Sequence, residues 1–349
     1  MRVVAFTLAT LCLSTGASAN ETDPWYAWVH PPRDGTSALN HTIGERLAQS
    51  LRDVNRGRDP GKLDCRDVAA RMTTPMRTAA FFFFASDVGT WGADYSPRTA
   101  SEYFDSLSEN GSYRHLYGLL PLDPSMRSGD VLFGTDKLGH FFTNGLRQYD
   151  LYRAERARGA SKEAAVRATI DEGIREEKTW LGLYPSGILS YADLEANHQG
   201  FMFFRSLCED GELALVDDVW TLTKPFDIAR WVSPCWDEAY SPSYFLRAPD
   251  RAKRGLAEMC EELDDDGVRA RLEAYRANAC TSASGEVVRD LVARGELPDP
   301  SPWSYEAVCT STRAPSGSAR NDTLGPRDRG TTPQRPSLHV IDGARTPGH

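Results

Sequence analysis

Lysine is the scarcest charge in this chain: of 40 basic residues only Lys62, Lys137, Lys162, Lys178, Lys224 and Lys253 are lysines, and the rest are arginines. That bias points to a GC-rich bacterial genome. Basic clusters are also missing. With a formal net charge of −9, the 349 residues lack the positive surface that a dedicated nucleic-acid binder needs, so no nucleic-acid partner is expected. Long hydrophobic runs are absent after the first 19 residues. The most apolar later stretch, Ala79 to Ala85, falls far short of the ~20 residues of a spanning helix, so no membrane span is expected. No C-x-x-C pair occurs, which removes a zinc-ribbon or thioredoxin-type reading. Nor does the chain contain G-x-S-x-G, H-E-x-x-H, a P-loop or G-x-G-x-x-G, and ordinary lipase, zincin, NTPase and dehydrogenase chemistry loses its support.

What is present begins at the N-terminus. Arg2, the apolar run Val3 to Leu13 and the small-residue exit Ala17-Ser18-Ala19 have the order of a secretory signal peptide, expected to be cut after Ala19. Cys12 lies inside the apolar run behind the bulky Leu11, a poor setting for a lipid anchor. Removing the leader leaves six cysteines, Cys65, Cys208, Cys235, Cys260, Cys280 and Cys309, an even number suited to an oxidising compartment. Disulfides are expected, with 15 pairings open. The expected location is the bacterial periplasm or the secreted fraction.

Hydrophobic periodicity predicts a mainly α fold: an irregular helical bundle with long Pro-, Gly- and aromatic-rich loops, supported by disulfides. The expected domain runs from about residue 20 to 310, followed by a tail over 311–349 whose Ser, Thr, Gly, Pro and Arg content predicts disorder. Helices are expected over Ile43 to Val54, from Asp67 to about Ser86 with a break at Pro75, and over Asp136 to Arg158 behind a Thr135 cap. Further helices are expected over Lys162 to Gly182 behind Ser161, and Tyr191 to Cys208 behind Ser190. A C-terminal helical part, about 250–295, comprises Asp250 to Leu263, Asp266 to Cys280 and Gly285 to Arg294. Residues 87–130 read as a long irregular connection with a short helix near Ser101 to Leu107, and Val219 to Leu246 as a loop holding one short extended segment.

The chemistry concentrates in the central helices. Asp136 and His140 are four residues apart and share a helix face, as do Asp193 and Asn197. Glu176 and Glu177 end the helix between them. Packed together, these helices can bring carboxylates, an imidazole and an amide to one polar site. Each residue also has a structural reading. Ser190-x-x-Asp193 fits a capping box, Asp136 suits a helix first turn, and Lys137, ~100° around the helix from Asp136, can be a solvated side chain. The stretch Trp231 to Tyr240 combines aromatics with Asp237 and Glu238; such a patch suits glycan binding or core packing, and core packing is the favoured reading. The acidic run Glu261 to Asp266 lacks the spacing of a calcium loop and reads as solvated.

The fragments Asp136-Lys137-Leu138-Gly139-His140, then Glu176-Glu177, then Ser190-Tyr191-Ala192-Asp193 through Asn197 to Gly200, resemble the D-K-x-x-H … E … S-x-x-D-x-x-x-N-x-x-G core of VanZ-like proteins. They resemble even more the related small bacterial envelope lipoproteins of unknown function. The resemblance covers about residues 135–208 and marks Asp136, Lys137, His140, Glu177, Asp193, Asn197 and Gly200, with Glu176 the register alternative. VanZ-like proteins span membranes, whereas Arg147, Asp150, Arg153, Glu155, Arg156 and Arg158 keep these helices out of lipid. The resemblance therefore implies an envelope protein and not a lipid-embedded mechanism.

Two functions follow as expectations. In the first, the residues form a hydrogen-bonded network inside a non-catalytic binding or scaffold module, whose partner is an envelope ligand or protein. In the second, Asp136, His140, Glu177 and Asp193 hold a divalent ion, Zn²⁺, Mn²⁺ or Fe²⁺, which activates water to hydrolyse an envelope ester or phosphoester. Either way, His140 is expected to face Asp193 or Asn197, with Glu177 reaching the same place.

Overall fold

Helix α2 (Thr36–Asn55) shows why these residues fold as they do. Leu39, Ile43, Leu47, Leu51 and Val54 recur every three or four residues and are all buried, so one stripe of the helix faces the core. The computed structural model describes residues 22–77, 93, 122–184, 187–246, 249–278 and 280–310, all within a compact unit spanning Met1–Arg313. The expected signal peptide, the Phe-rich run, the expected short helix near Ser101 and residues 311–349 lie outside the described residues.

Short helix α1 (Pro24–Val29) precedes α2; α3 (Cys65–Met72) follows it and breaks at Thr73 into a 3₁₀ turn over Thr74–Arg77 that contains Pro75. The hairpin β1 (Ser125–Ser128) and β2 (Val131–Gly134) pairs antiparallel, with Gly129 at φ 60° in the turn. It occupies the end of the stretch expected to be irregular. The next helix starts as α4 (Asp136–Gly139), widens into a π-helical turn over His140–Asn144, and resumes as α5 (Gly145–Ala157). Thr135 does not cap it. Its backbone is already helical (φ −64°, ψ −23°) and its hydroxyl makes no capping bond.

Helix α6 (Lys162–Glu177) begins where Ser161 accepts a hydrogen bond from the Ala164 N–H, but it stops five residues short of Gly182. The chain leaves through wide turns in which Leu181 N–H donates to Glu176 O and Tyr184 N–H to Thr179 O. Helix α7 (Tyr191–Cys208) has the predicted bounds, with Ser190 Oγ accepting from the Asp193 N–H. A second hairpin, β4 (Leu213–Val216) and β5 (Val219–Leu222), turns through Asp217 and Asp218, both at positive φ. Strands β3 (Ile188–Leu189) and β6 (Tyr244–Phe245) form a two-residue ladder. Helices α8 (Pro249–Ala257), α9 (Asp266–Ala277) and α10 (Ala283–Ala293) complete the expected C-terminal helical part.

The fold is mainly α with three small sheets among the described residues. Its largest core joins the stripe of α2 to Phe141, Phe142, Phe203, Phe204, Trp231 and Trp236. Three disulfides settle the pairing: Cys65–Cys208 ties α3 to the end of α7, Cys235–Cys280 ties the loop before Glu238 to the segment before α10, and Cys260–Cys309 closes the C-terminal part. None of the described helices is long and apolar enough to cross a membrane.

The site depends on one close approach. A methyl group on Gly200 would lie 1.9 Å from Phe141 O, and one on Gly145 would lie 2.5 Å from the Gly200 carbonyl carbon. Only glycine at these two positions lets the backbone of α7 lie directly against the π turn and the start of α5.

Candidate functional site

That contact sets the polar faces of the two helices against each other. Lys137 lies at the centre, 1% exposed. Its ammonium donates to Asp136 Oδ2 at 2.5 Å and to Glu238 Oε1 at 3.0 Å, and pairs with Asp193 Oδ1 at 2.7 Å outside hydrogen-bond angles. Three carboxylates from three separate segments therefore surround one cation. Helix geometry alone left Lys137 free to be solvated; in the fold its side chain is buried and its ammonium lies among these charges. Burial alone would depress the Lys137 ammonium, but the charges of Asp136, Asp193 and Glu238 outweigh it and hold the group well above its ordinary value. Burial raises the Asp136 carboxyl, against the opposing pull of Lys137.

His140 lies beside this group. Its Nε2 is 3.3 Å from Asp193 Oδ2, and its Nδ1 is 3.0 Å from Asn197 Oδ1 and 3.1 Å from Asn144 Nδ2. The two amides serve the two imidazole tautomers. With the proton on Nδ1 the ring donates to Asn197 and aims the Nε2 lone pair at Asp193. With the proton on Nε2 the ring accepts from Asn144 and donates to Asp193. The π turn lies within this arrangement: it carries both His140 and Asn144, and the Gly145 N–H at its end returns to His140 O. Such turns recur at functional sites.

A second layer fixes the carboxylates. Glu238 accepts from Ser190 Oγ at 2.7 Å and from Thr22 Oγ1 at 3.3 Å. Ser190 thus performs two roles, since the same hydroxyl oxygen accepts from the Asp193 N–H at 3.2 Å. Ser190 caps α7, but the Asp193 carboxylate, which a capping box would turn back to the Ser190 N–H, is directed at Lys137 and His140.

Of the residues singled out in the sequence, Asp136, Lys137, His140, Asp193 and Asn197 meet. One ligand atom from each of Asp136, His140 and Asp193 lies within 4.8 Å of the other two. Glu177 is buried at the last residue of α6, where its carboxylate faces Gly182: a methyl there would come within 2.7 Å of Oε2. The early end of α6 directs it into the turn that follows. Glu176, the register alternative, pairs with Arg147, whose guanidinium also lies 5.0 Å over the Trp180 ring.

Three participants were missed. Asn144 stands four residues after His140, a spacing that could have revealed it. Thr22 and Glu238 carry no such signal; Glu238 is 101 residues from Lys137 along the chain. The stretch around it is core, as favoured: Trp236, Asp237 and Glu238 are buried. Asp237 accepts from Trp28 Nε1 at 2.8 Å and Tyr275 Oη at 3.0 Å, and burial pushes its carboxyl up to about 7 against those bonds. His198, rotated away from the cluster, packs on Phe201, and burial lowers it to about 4.

Two open grooves of about 730 and 760 Å³ flank Glu195, and no member of the cluster lines either one. Comparison of the chain with protein-family models, with curated proteins and with solved structures finds no match.

Proposed function

We propose that this chain is an exported, non-catalytic binding or scaffold module of the bacterial envelope, organised around a buried polar anchor. The observation that carries the reading is Lys137, whose ammonium lies within 3.0 Å of carboxylates from α4, α7 and the loop at Glu238. An ion cluster of this kind orders the elements that contribute to it, because each charge is costly to bury without the others. It joins α4 to α7 and to the loop stapled by Cys235–Cys280, and so fixes the surfaces that those elements present.

Export is supported by the signal-like N-terminus and by three disulfides, which persist in oxidising compartments. The VanZ-like resemblance fits the same picture: Asp136, Lys137, His140, Asp193 and Asn197 share one site, and Gly200 is the crossing point that makes it. The non-catalytic reading is supported by the saturation of Lys137 with carboxylates.

The test is an activity screen of the purified, disulfide-intact protein against ester and phosphoester substrates, with and without added Zn²⁺, Mn²⁺ and Fe²⁺. No turnover is expected. Turnover that disappears in His140→Ala would replace this reading with a metal-dependent hydrolase.

A further inference from the structure

We propose that Asp136, His140 and Asp193 form a binding site for one divalent transition-metal ion of the zinc, manganese or ferrous type, with Lys137 as the residue that orients both carboxylates. The proposal deepens the anchor reading and rests on it: the ion is a structural partner of the cluster.

Four observations carry it. The first is proximity: one ligand atom from each residue lies within 4.8 Å of the others, with Asp136 and His140 buried and Asp193 only slightly exposed. The second is charge. Asp136, Asp193 and Glu238 count three negative charges when ionised, and Lys137 returns one positive, leaving two negative charges in a buried place. A divalent cation cancels that excess, whereas burial of unbalanced charge is strongly unfavourable.

The third is the division of labour between oxygens. Lys137 engages Oδ2 of Asp136 and Oδ1 of Asp193. Asp136 Oδ1 is buried without a hydrogen-bond partner, on a residue only 4% exposed, and Asp193 Oδ2 is directed at His140 Nε2. Each carboxylate therefore has an oxygen that the ammonium does not use.

The fourth is the imidazole. Asn197 Oδ1 can take the Nδ1 proton, which leaves the Nε2 lone pair facing Asp193. Two electron-rich atoms 3.3 Å apart need a cation or a proton between them. A carbonyl oxygen on the far nitrogen is the usual way a metal-binding histidine is oriented. One imidazole and two carboxylates make a donor set for Zn²⁺, Mn²⁺ or Fe²⁺ and not for a thiolate-seeking metal. The close approach at Gly145 and Gly200 fixes the distance between the two ligand-bearing helices, so the set is assembled before the ion arrives.

The experiment is metal titration of the full exported chain with disulfides intact, stripped with chelator and then given Zn²⁺ or Mn²⁺. Binding is read by calorimetry and by the metal retained after dialysis. The expected result is about one ion per chain. His140→Ala and Asp193→Asn each weaken binding at least about tenfold, and Glu176→Gln leaves it unchanged. Should the variants fail to fold, histidine nitrogen NMR of the unaltered protein decides. Zn²⁺ must shift Nε2 of one buried imidazole that keeps its proton on Nδ1.

Failure to retain either ion overturns the site, as does full retention by folded His140→Ala and Asp193→Asn, or an imidazole spectrum indifferent to Zn²⁺. The two proposals fail separately. An ion bound with His140-dependent hydrolysis keeps the site and overturns the non-catalytic reading; no ion and no hydrolysis overturns the site alone.

Discussion

Replacing Lys137 by Met keeps the apolar stem and removes the charge at the centre of the cluster. Lys137 is 1% exposed, and its ammonium meets Asp136 at 2.5 Å, Asp193 at 2.7 Å and Glu238 at 3.0 Å. Breaking a buried ion pair by removing one partner costs about 3–5 kcal/mol, because the partner is left charged and dry. Here three carboxylates lose one shared cation, so the loss belongs at the upper end, about 5 kcal/mol. Asp136, already raised by burial, takes up a proton in response and limits the damage. Denaturant unfolding with disulfides intact measures this as a fall in midpoint with the slope unchanged. The variant Lys137→Met/Glu238→Gln should recover part of the loss, since one orphaned charge goes with the ammonium. A fall of less than about 1 kcal/mol, the scale of an exposed pair, would show that the three carboxylates do not depend on the ammonium.

Further outcomes follow from the same geometry. Gly200→Ala places a methyl 1.9 Å from Phe141 O, so it should destabilise the fold by about 3 kcal/mol in thermal or chemical unfolding, as overpacking does; a neutral result would show that the crossing has slack. Asp237 titrates near 7 in the fold and at its ordinary lower value when unfolded, so its contribution to stability is full below about pH 4 and is lost as pH rises toward 7. Comparing unfolding of the wild type and Asp237→Asn across that range checks it, and parallel curves would contradict it. For His198 the sign reverses: its folded value of about 4 means stability is lost as pH falls below the ordinary histidine value, and His198→Gln should flatten that acid limb. Removing the Cys65–Cys208 link, whose ends are 143 residues apart, should cost roughly 4–5 kcal/mol in the unfolding midpoint.

How far the sequence carried depends on how local each cause is. Helix α7 was legible to the residue because its start is a serine cap and its interior is continuous apolar helix. The i,i+4 pairs Asp136/His140 and Asp193/Asn197 were legible for the same reason: helical spacing places them, and their apolar neighbours drive the faces together. The π turn was not legible, because it coincides with a contact between α7 and the start of α5 that involves Phe141 and two glycines far apart in the chain. The direction of Glu177 was not legible, because it depends on where α6 ends, and that is set by the turns after it, not by the helix itself. Lys137 was matched by resemblance, yet helix geometry alone allowed it to be solvated; its length lets it bend into charges that two other segments supply. Glu238 was out of reach, since only the folded loop near Cys235–Cys280 brings it to Ser190 and Lys137.

One lysine is buried among three carboxylates, and with only six lysines in the chain that burial is directly measurable. Nitrogen-15 NMR of the lysine ammonium groups at neutral pH separates protected from solvated side chains. One ammonium with slowly exchanging protons is expected, absent in Lys137→Met and shifted in Asp193→Asn and in Glu238→Gln, while the others exchange with water too fast to be seen. A spectrum in which no ammonium is protected, or in which the protected one survives in Lys137→Met, would contradict it.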